Sequence, residues 1–164
     1  MENKEEKGNI EERGGMVHFI LLHSYMVFLF AVVLGALFDT FLKKPLFSDD
    51  VYPNLGFCMI IIGSVLIYWA QKTSSNSRKK TQKDNSKAYF ASGPYRYLRS
   101  PTHLGLFIMT LGLGFLINSF FSVVFTIIAY FITKWVFLKK EEKVLERKYG
   151  QVYRDYKKKV RNWI

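Results

Sequence analysis

A chain of 164 residues suits one domain, and half of it is hydrophobic (49%) with 17% aromatic residues, while Lys and Arg outnumber Asp and Glu 24 to 13. This pairing of apolar and basic character points to a membrane rather than to nucleic acid, because the charge flanks apolar runs and no nucleic-acid-binding module is present. Three His and a lone Cys58, with no paired ligand spacing, argue against a structural metal and exclude an intrachain disulfide.

In chain order, residues 1–15 are charged, carry three Gly and lack apolar periodicity, which predicts a mobile tail ahead of a single domain over 16–164. Four apolar stretches then approach the roughly 20 residues that a spanning helix needs: Val17 to Phe41, Val51 to Ala70, Pro101 to Ile117 and Phe120 to Leu138. The first is longer than a signal-peptide core and is read as a retained helix. The third is short, and crosses only with help from its flanks. Between the second and third lies a basic loop rich in Ser, Asn, Thr and Lys, running from Gln71 to Lys87. Asn118 and Ser119 predict a tight turn that makes a helical hairpin of the last two spans. Gly105 and Gly112 share a face of the third span, as close helix packing requires.

Beyond Leu138 the composition changes. Val144, Leu145, Tyr149, Val152, Tyr153, Tyr156 and Val160 recur at helical spacing among Lys and Arg, so this segment reads as a basic amphipathic helix on the interface, its rings at headgroup depth, divided at Gly150. The fold class is therefore all-α: an integral membrane protein of about four transmembrane helices with a C-terminal amphipathic interfacial segment. Basic residues concentrate in the N-terminal segment, the 71–100 loop and the region from Lys134 onward, with Lys43 and Lys44 alone opposite. By the positive-inside rule both termini and the 71–100 loop are expected to be cytoplasmic, in a multi-pass protein.

That topology places the polar stretch Ser92 to Gly105, SGPYRYLRSPTHLG, on the same side as Glu141 and Glu142. A carboxylate accepts two hydrogen bonds in a plane, which suits a ribose diol, and an Arg fork suits an amino-acid carboxylate. Both fittings serve a nucleoside linked to an amino acid. Asp39 and Lys134 lie near span ends, where each can reach water or a partner.

GPYRYLRSPTHLG, a hydrophobic hairpin and then EEKVLERKYGQVYRDYKKKV together resemble the isoprenylcysteine carboxyl methyltransferase and phospholipid methyltransferase superfamily of membrane enzymes. Gly93, Tyr95, Arg99, Pro101, Gly105, Glu141, Glu142, Leu145, Tyr149, Gly150, Tyr153 and Tyr156 fall in register with its pattern. The resemblance implies a methyltransferase whose S-adenosylmethionine site lies within residues 87–164, with a lipid or lipidated acceptor entering from the bilayer. It carries cofactor contacts onto Tyr95, Ser100, Pro101, Thr102, His103, Glu141 and Glu142. Tyr89 and Phe90 are candidates for an apolar rim around the adenine. In carboxyl O-methylation, the favoured reaction, the acceptor is already ionised at neutral pH and needs no base, whereas an ammonium acceptor must lose a proton, for which His103 is the candidate; His103 reads first as a hydrogen-bonded residue of the cofactor pocket, so no catalytic base is named.

Three positions depart from the pattern: Ser100 replaces a His, His103 replaces a Tyr, and Phe137 stands where animal isoprenylcysteine enzymes place an Arg for the acceptor carboxylate. Lys139 or Lys140 is the sequence's nearest substitute for that charge. Two other functions stay open at this point, a membrane reductase with a nicotinamide cofactor and a non-enzymatic membrane adaptor that retains the fold.

Overall fold

The computed structural model describes residues 2–42, 51–80 and 92–160, with side chains placed for 22–42, 53–76, 92–147 and 149–160. Six α-helices make up almost all of the described chain: α1 (Glu2–Leu42), α2 (Val51–Lys80), α3 (Pro101–Leu116), α4 (Phe120–Ile132), α5 (Lys139–Tyr149) and α6 (Gln151–Lys159). A 3₁₀ turn, Gly93–Arg96, precedes α3, and a π-helical stretch, Thr133–Leu138, joins α4 to α5. No strand occurs among the described residues, as the all-α expectation requires.

Three helical stretches are long and apolar enough to cross a membrane: Leu22–Leu42, Pro53–Asn76 and Phe120–Arg147. The fourth expected crossing, α3, is apolar but only 16 residues long, or about 24 Å at 1.5 Å per residue. Two boundaries differ from the sequence reading. Residues 2–15, expected as a tail, belong to α1, and the first ten residues of the expected basic loop, Gln71 to Lys80, continue α2.

Two antiparallel helix pairs build the membrane body. Along the first, α2 and α3 meet through glycines seven residues apart on each helix. A methyl group on Gly63 would lie 2.6 Å from the Gly105 carbonyl oxygen, and one on Gly112 would lie 2.7 Å from that of Gly56. Backbones this close admit no side chain larger than hydrogen, which is how membrane helices gain packing without a hydrophobic driving force. In the second pair, α1 lies along α4. Gly35 of α1 leaves room for Ser122, whose hydroxyl donates to the Val32 carbonyl at 3.0 Å. Phe28, Ala31, Leu106 and Ala129 fill the seam between the two pairs.

The turn between α3 and α4 is as tight as predicted. Asn118 takes φ of 50°, a left-handed conformation that Asn tolerates, and the Ser119 amide returns to the Gly114 carbonyl at 2.9 Å. Ser119 caps α4 by accepting from the Ser122 amide at 3.1 Å. Asp39 of α1 accepts from the Ser119 hydroxyl and, at 3.2 Å, from the Phe121 amide. The acid near the end of the first span thus finds its partners inside the protein and ties α1 to the hairpin.

At the opposite end, Gly150 adopts φ of 54° and divides α5 from α6, as its position predicts. The rings of this segment turn inward, a correction to their expected place among lipid headgroups. Tyr153 and Tyr156 are buried, with Leu145, Tyr149, Val152 and Val160 packed around them. The two short helices, each with one apolar face, bury those faces against each other.

Candidate functional site

The sequence around residue 100 dictates a sharp change of direction. Gly93 adopts φ of 57° beside Thr73 of α2, Pro94 starts the 3₁₀ turn, and Pro101 supplies the fixed φ favoured in the first turn of α3. The segment between is held from above by α6: the Tyr156 hydroxyl donates to the Tyr95 carbonyl at 2.6 Å and lies 3.4 Å from that of Leu98. Ser100 therefore sits at the mouth of α3, and His103 lies one turn inside it, buried.

The first turn of α5 comes to meet this loop. His103 Nδ1 lies 3.7 Å from Glu141 Oε2, beyond hydrogen-bond reach, while Nε2 lies 3.2 Å from the Ser24 hydroxyl of α1. Glu141 Oε2 is shut off from solvent and has no hydrogen-bond partner. A buried carboxylate oxygen without a donor is costly, and such an atom calls for an occupant that supplies one.

Glu142 is engaged differently. Its Oε1 accepts from Arg99 Nη1 at 2.9 Å and its Oε2 lies 2.8 Å from Lys157 Nζ, which also reaches Glu146 Oε1 at 3.3 Å. The hydrogen bond and charge of Glu142 hold the Lys157 ammonium pKa above its ordinary value. Burial, reinforced by Glu142 and Glu141, likewise pushes the Tyr153 phenol up. Arg99 keeps Nε buried and unpaired beside its bond to Glu142. The first acid of the pair thus offers a free acceptor, and the second locks loop to helix.

A pocket opens from His103 into the membrane body. Phe28, Leu104, Tyr130 and Leu138 form its apolar walls. Its polar lining comes from Ser100 and His103 on α3's side and from Thr133 and Lys134 at the π-helical stretch. π-Helical turns recur at functional sites because their wider winding re-aims side chains.

Of the residues singled out from the sequence, Ser100, Pro101, Thr102, His103, Glu141 and Glu142 gather at one end of the helix pairs, and Tyr95 joins them through its carbonyl. Tyr89 and Phe90 lie outside the described residues. Lys139 and Lys140 are exposed, whereas Lys134 is half-buried and faces the pocket. Sequence reasoning passed over Ser24, Lys157 and Thr133. A polar residue within an apolar span was the available signal for Ser24 and Thr133; the reach of Lys157 to Glu142 depends on the turn at Gly150.

No group of three or more His, Cys, Asp or Glu able to hold a metal occurs among the described residues. No solved structure matches the chain at a significant level. The family model described as phospholipid methyltransferase matches residues 52–152, from α2 into α6. Protein-S-isoprenylcysteine O-methyltransferase of Schizosaccharomyces pombe is 30% identical over 143 residues, covering 82% of this chain and 58% of its own length. The Tribolium castaneum protein of the same name is 31% identical over 115 residues, or 65% of this chain and 39% of its own. That of Xenopus laevis is 28% identical over 129 residues, or 69% and 43%. The chain therefore spans between 39% and 58% of the length of these curated relatives. Because the family match takes in most of the chain, including the loop, the hairpin and the acid pair, this protein belongs to the phospholipid methyltransferase family, in the superfamily that also holds the isoprenylcysteine O-methyltransferases.

Proposed function

We propose that this protein is an S-adenosylmethionine-dependent membrane methyltransferase acting on a lipid-like or prenylcysteine-type acceptor, with carboxyl O-methylation as its reaction. The observation that carries the reading is the approach of Glu141 to His103 with Oε2 buried and unpartnered. This acceptor suits the hydroxyls of a ribose or an ammonium group, and the unpaired Nε–H of Arg99 suits a carboxylate. A nucleoside joined to an amino acid presents all of these groups. Ser100 to His103 line its amino-acid end, Tyr95 shapes the turn above it, and Glu142 closes loop against helix.

When bound, S-adenosylmethionine supplies an electrophilic methyl group, which an acceptor carboxylate oxygen takes by in-line displacement as the sulfur–carbon bond breaks. The residues need only align the two groups and keep water out. The buried floor formed by His103, Ser24 and Phe28 serves the second purpose. The relatives' name, protein-S-isoprenylcysteine O-methyltransferase, supports the acceptor class.

In the same reading α3 is a fourth crossing, with α5 and α6 along the cytoplasmic interface and both termini and the 71–100 loop on that side. Basic residues around these segments support this orientation. Calorimetric titration of the detergent-purified protein with S-adenosylmethionine and S-adenosylhomocysteine tests the cofactor. Wild type is expected to bind both, and Glu141→Ala to weaken binding by about 10-fold to 100-fold, the range for one charge-assisted hydrogen bond. Absence of binding by wild type sinks the reading; unchanged binding by Glu141→Ala removes that residue from the site.

A further inference from the structure

The outward side of the stretch Phe120–Arg147 changes character at one point. Ile128, Phe131, Ile132, Trp135 and Val136 are exposed apolar residues. One turn beyond Trp135 and Val136 stand Lys139 and Lys140, also exposed, and Lys143 and Arg147 carry the row onward along α5. At roughly 3.6 residues per turn these four cations fall within about 100° of one another around the helix, with Glu141, Glu142 and Leu145 on the other side. The acids of α5 are all engaged elsewhere. Glu141 is turned toward His103, Glu142 accepts from Arg99, and Glu146, at the edge of the row, is taken by Lys157. None of the four outer cations has an ion-pair partner among the described residues.

We propose that Lys139, Lys140, Lys143 and Arg147 dock the headgroups of anionic phospholipids of the surrounding bilayer. Three features select this occupant. The row continues the outward apolar stripe of the span, so a lipid whose chains lie along Ile132 and Val136 brings its headgroup to the lysines. Trp135, 69% exposed, carries the kind of ring that settles at headgroup level, which puts the next turn among the phosphates. With Glu146 already paired, the row offers no counter-charge to the ammonium end of a zwitterionic lipid and favours a headgroup of net negative charge. In the orientation proposed above, the row meets the leaflet that is rich in acidic lipids. The lipid holds α5 at the bilayer surface with its inner acids turned toward the loop. Such a site goes beyond the methyl-transfer reading, and its failure leaves that reading untouched.

The test reconstitutes the full-length chain, with Trp69→Phe and Trp163→Phe leaving Trp135 as the fluorescent reporter, in phosphatidylcholine vesicles that contain brominated phosphatidylglycerol or brominated phosphatidylcholine. Quenching of Trp135 is expected to show a preference for the anionic lipid of about 5-fold or more, the worth of one Lys or Arg at an acidic surface. The preference is expected to shrink in about 1 M salt, which screens exposed charges. Lys139→Gln with Lys143→Gln is expected to abolish it, and Lys139→Arg with Lys143→Arg to retain it, with both pairs melting in detergent as the parent does. Arg154→Gln with Lys158→Gln, on α6, is expected to leave it in place. Equal quenching by the two brominated lipids overturns the proposal, as does an undiminished preference in the Lys139→Gln, Lys143→Gln pair. An equal loss in the α6 pair makes the preference an effect of net charge and overturns the site as well. Loss of the preference on adding millimolar inorganic phosphate at constant ionic strength makes the row a site for a soluble anion, and the lipid assignment fails.

Discussion

Tyr156 donates to the main-chain carbonyl of Tyr95 at 2.6 Å across 61 residues of sequence. A phenol of α6 thereby fixes the turn that leads into α3, and Glu142 of α5, through Arg99, extends the same clasp. Tyr156→Phe removes the donor without changing the ring. The Tyr95 carbonyl then loses a buried partner, at a cost of about 0.5–1.5 kcal/mol. Thermal unfolding in detergent is expected to show that loss, with a lower affinity for S-adenosylhomocysteine because Ser100 and His103 are less firmly placed. An unchanged affinity would show that the clasp is structural only.

The pairing of Glu142 with Arg99 and Lys157 makes a second prediction. Glu142→Gln leaves the guanidinium of Arg99, 13% exposed, without its carboxylate. The expected destabilisation is about 1.5–3 kcal/mol, the range for a hydrogen bond to a charged group. Removing Arg99 and Glu142 together is expected to cost less than the sum of the separate losses, and a double-mutant cycle on denaturation midpoints reads the coupling. Additive losses would dissolve the pair as an energetic unit.

Stability is also expected to fall at alkaline pH. Folding raises the proton affinity of both Tyr153 and Lys157 above their ordinary values of 10.0 and 10.5. Below those values each group is protonated in both states and the contribution is whole. As pH climbs past them, the unfolded chain releases protons that the folded chain retains, so unfolding becomes easier until the folded groups titrate as well. Unfolding midpoints followed from about pH 8 to about pH 11 should decline, and the decline should be shallower in Tyr153→Phe and Lys157→Met. A parallel decline in both variants would assign it to other groups.

The glycine contacts of α2 and α3 set a fourth expectation. Gly63→Ala places a methyl group 2.6 Å from the Gly105 carbonyl oxygen, so one backbone must move. Overpacking of this kind costs about 1–3 kcal/mol. Gly150→Ala is strained for another reason: nothing lies within 4 Å of an added methyl, but its φ of 54° disfavours any side chain. Thermal melts of the two variants should separate a loss of helix packing from a local loss at the α5–α6 junction, where only the latter leaves the membrane helices intact to proteolysis.

Much of this arrangement can be read in advance from particular residues. Pro101 announces the start of α3, Asn118 and Ser119 the hairpin turn, and Gly150 the break between α5 and α6, because each has a local conformational cause. Glu141 and the Ser92 to Gly105 loop can be brought together from charge placement alone. What escapes is whatever depends on distant contacts or lacks periodicity. Polar Gln71 to Lys80 carries no apolar stripe, yet it continues α2. Tyr153 and Tyr156 have the spacing of an interfacial helix, and only their packing against one another turns them inward. The π-helical stretch has no signature in TKWVFL, so the place of Lys134 in the pocket lining emerges only in three dimensions.

The glycine-lined approach packs α2 against α3 backbone to backbone, and Gly35 with Ser122 does the same for α1 and α4. His103 and Ser100 lie on the first pair; Ser24, Phe28 and Lys134 belong to the second. The geometry of the candidate site is therefore inherited from how the two pairs sit across the Phe28, Ala31, Leu106 and Ala129 seam. Substitutions deep in that seam are expected to shift His103 of one pair against Ser24 of the other while leaving both side chains in place.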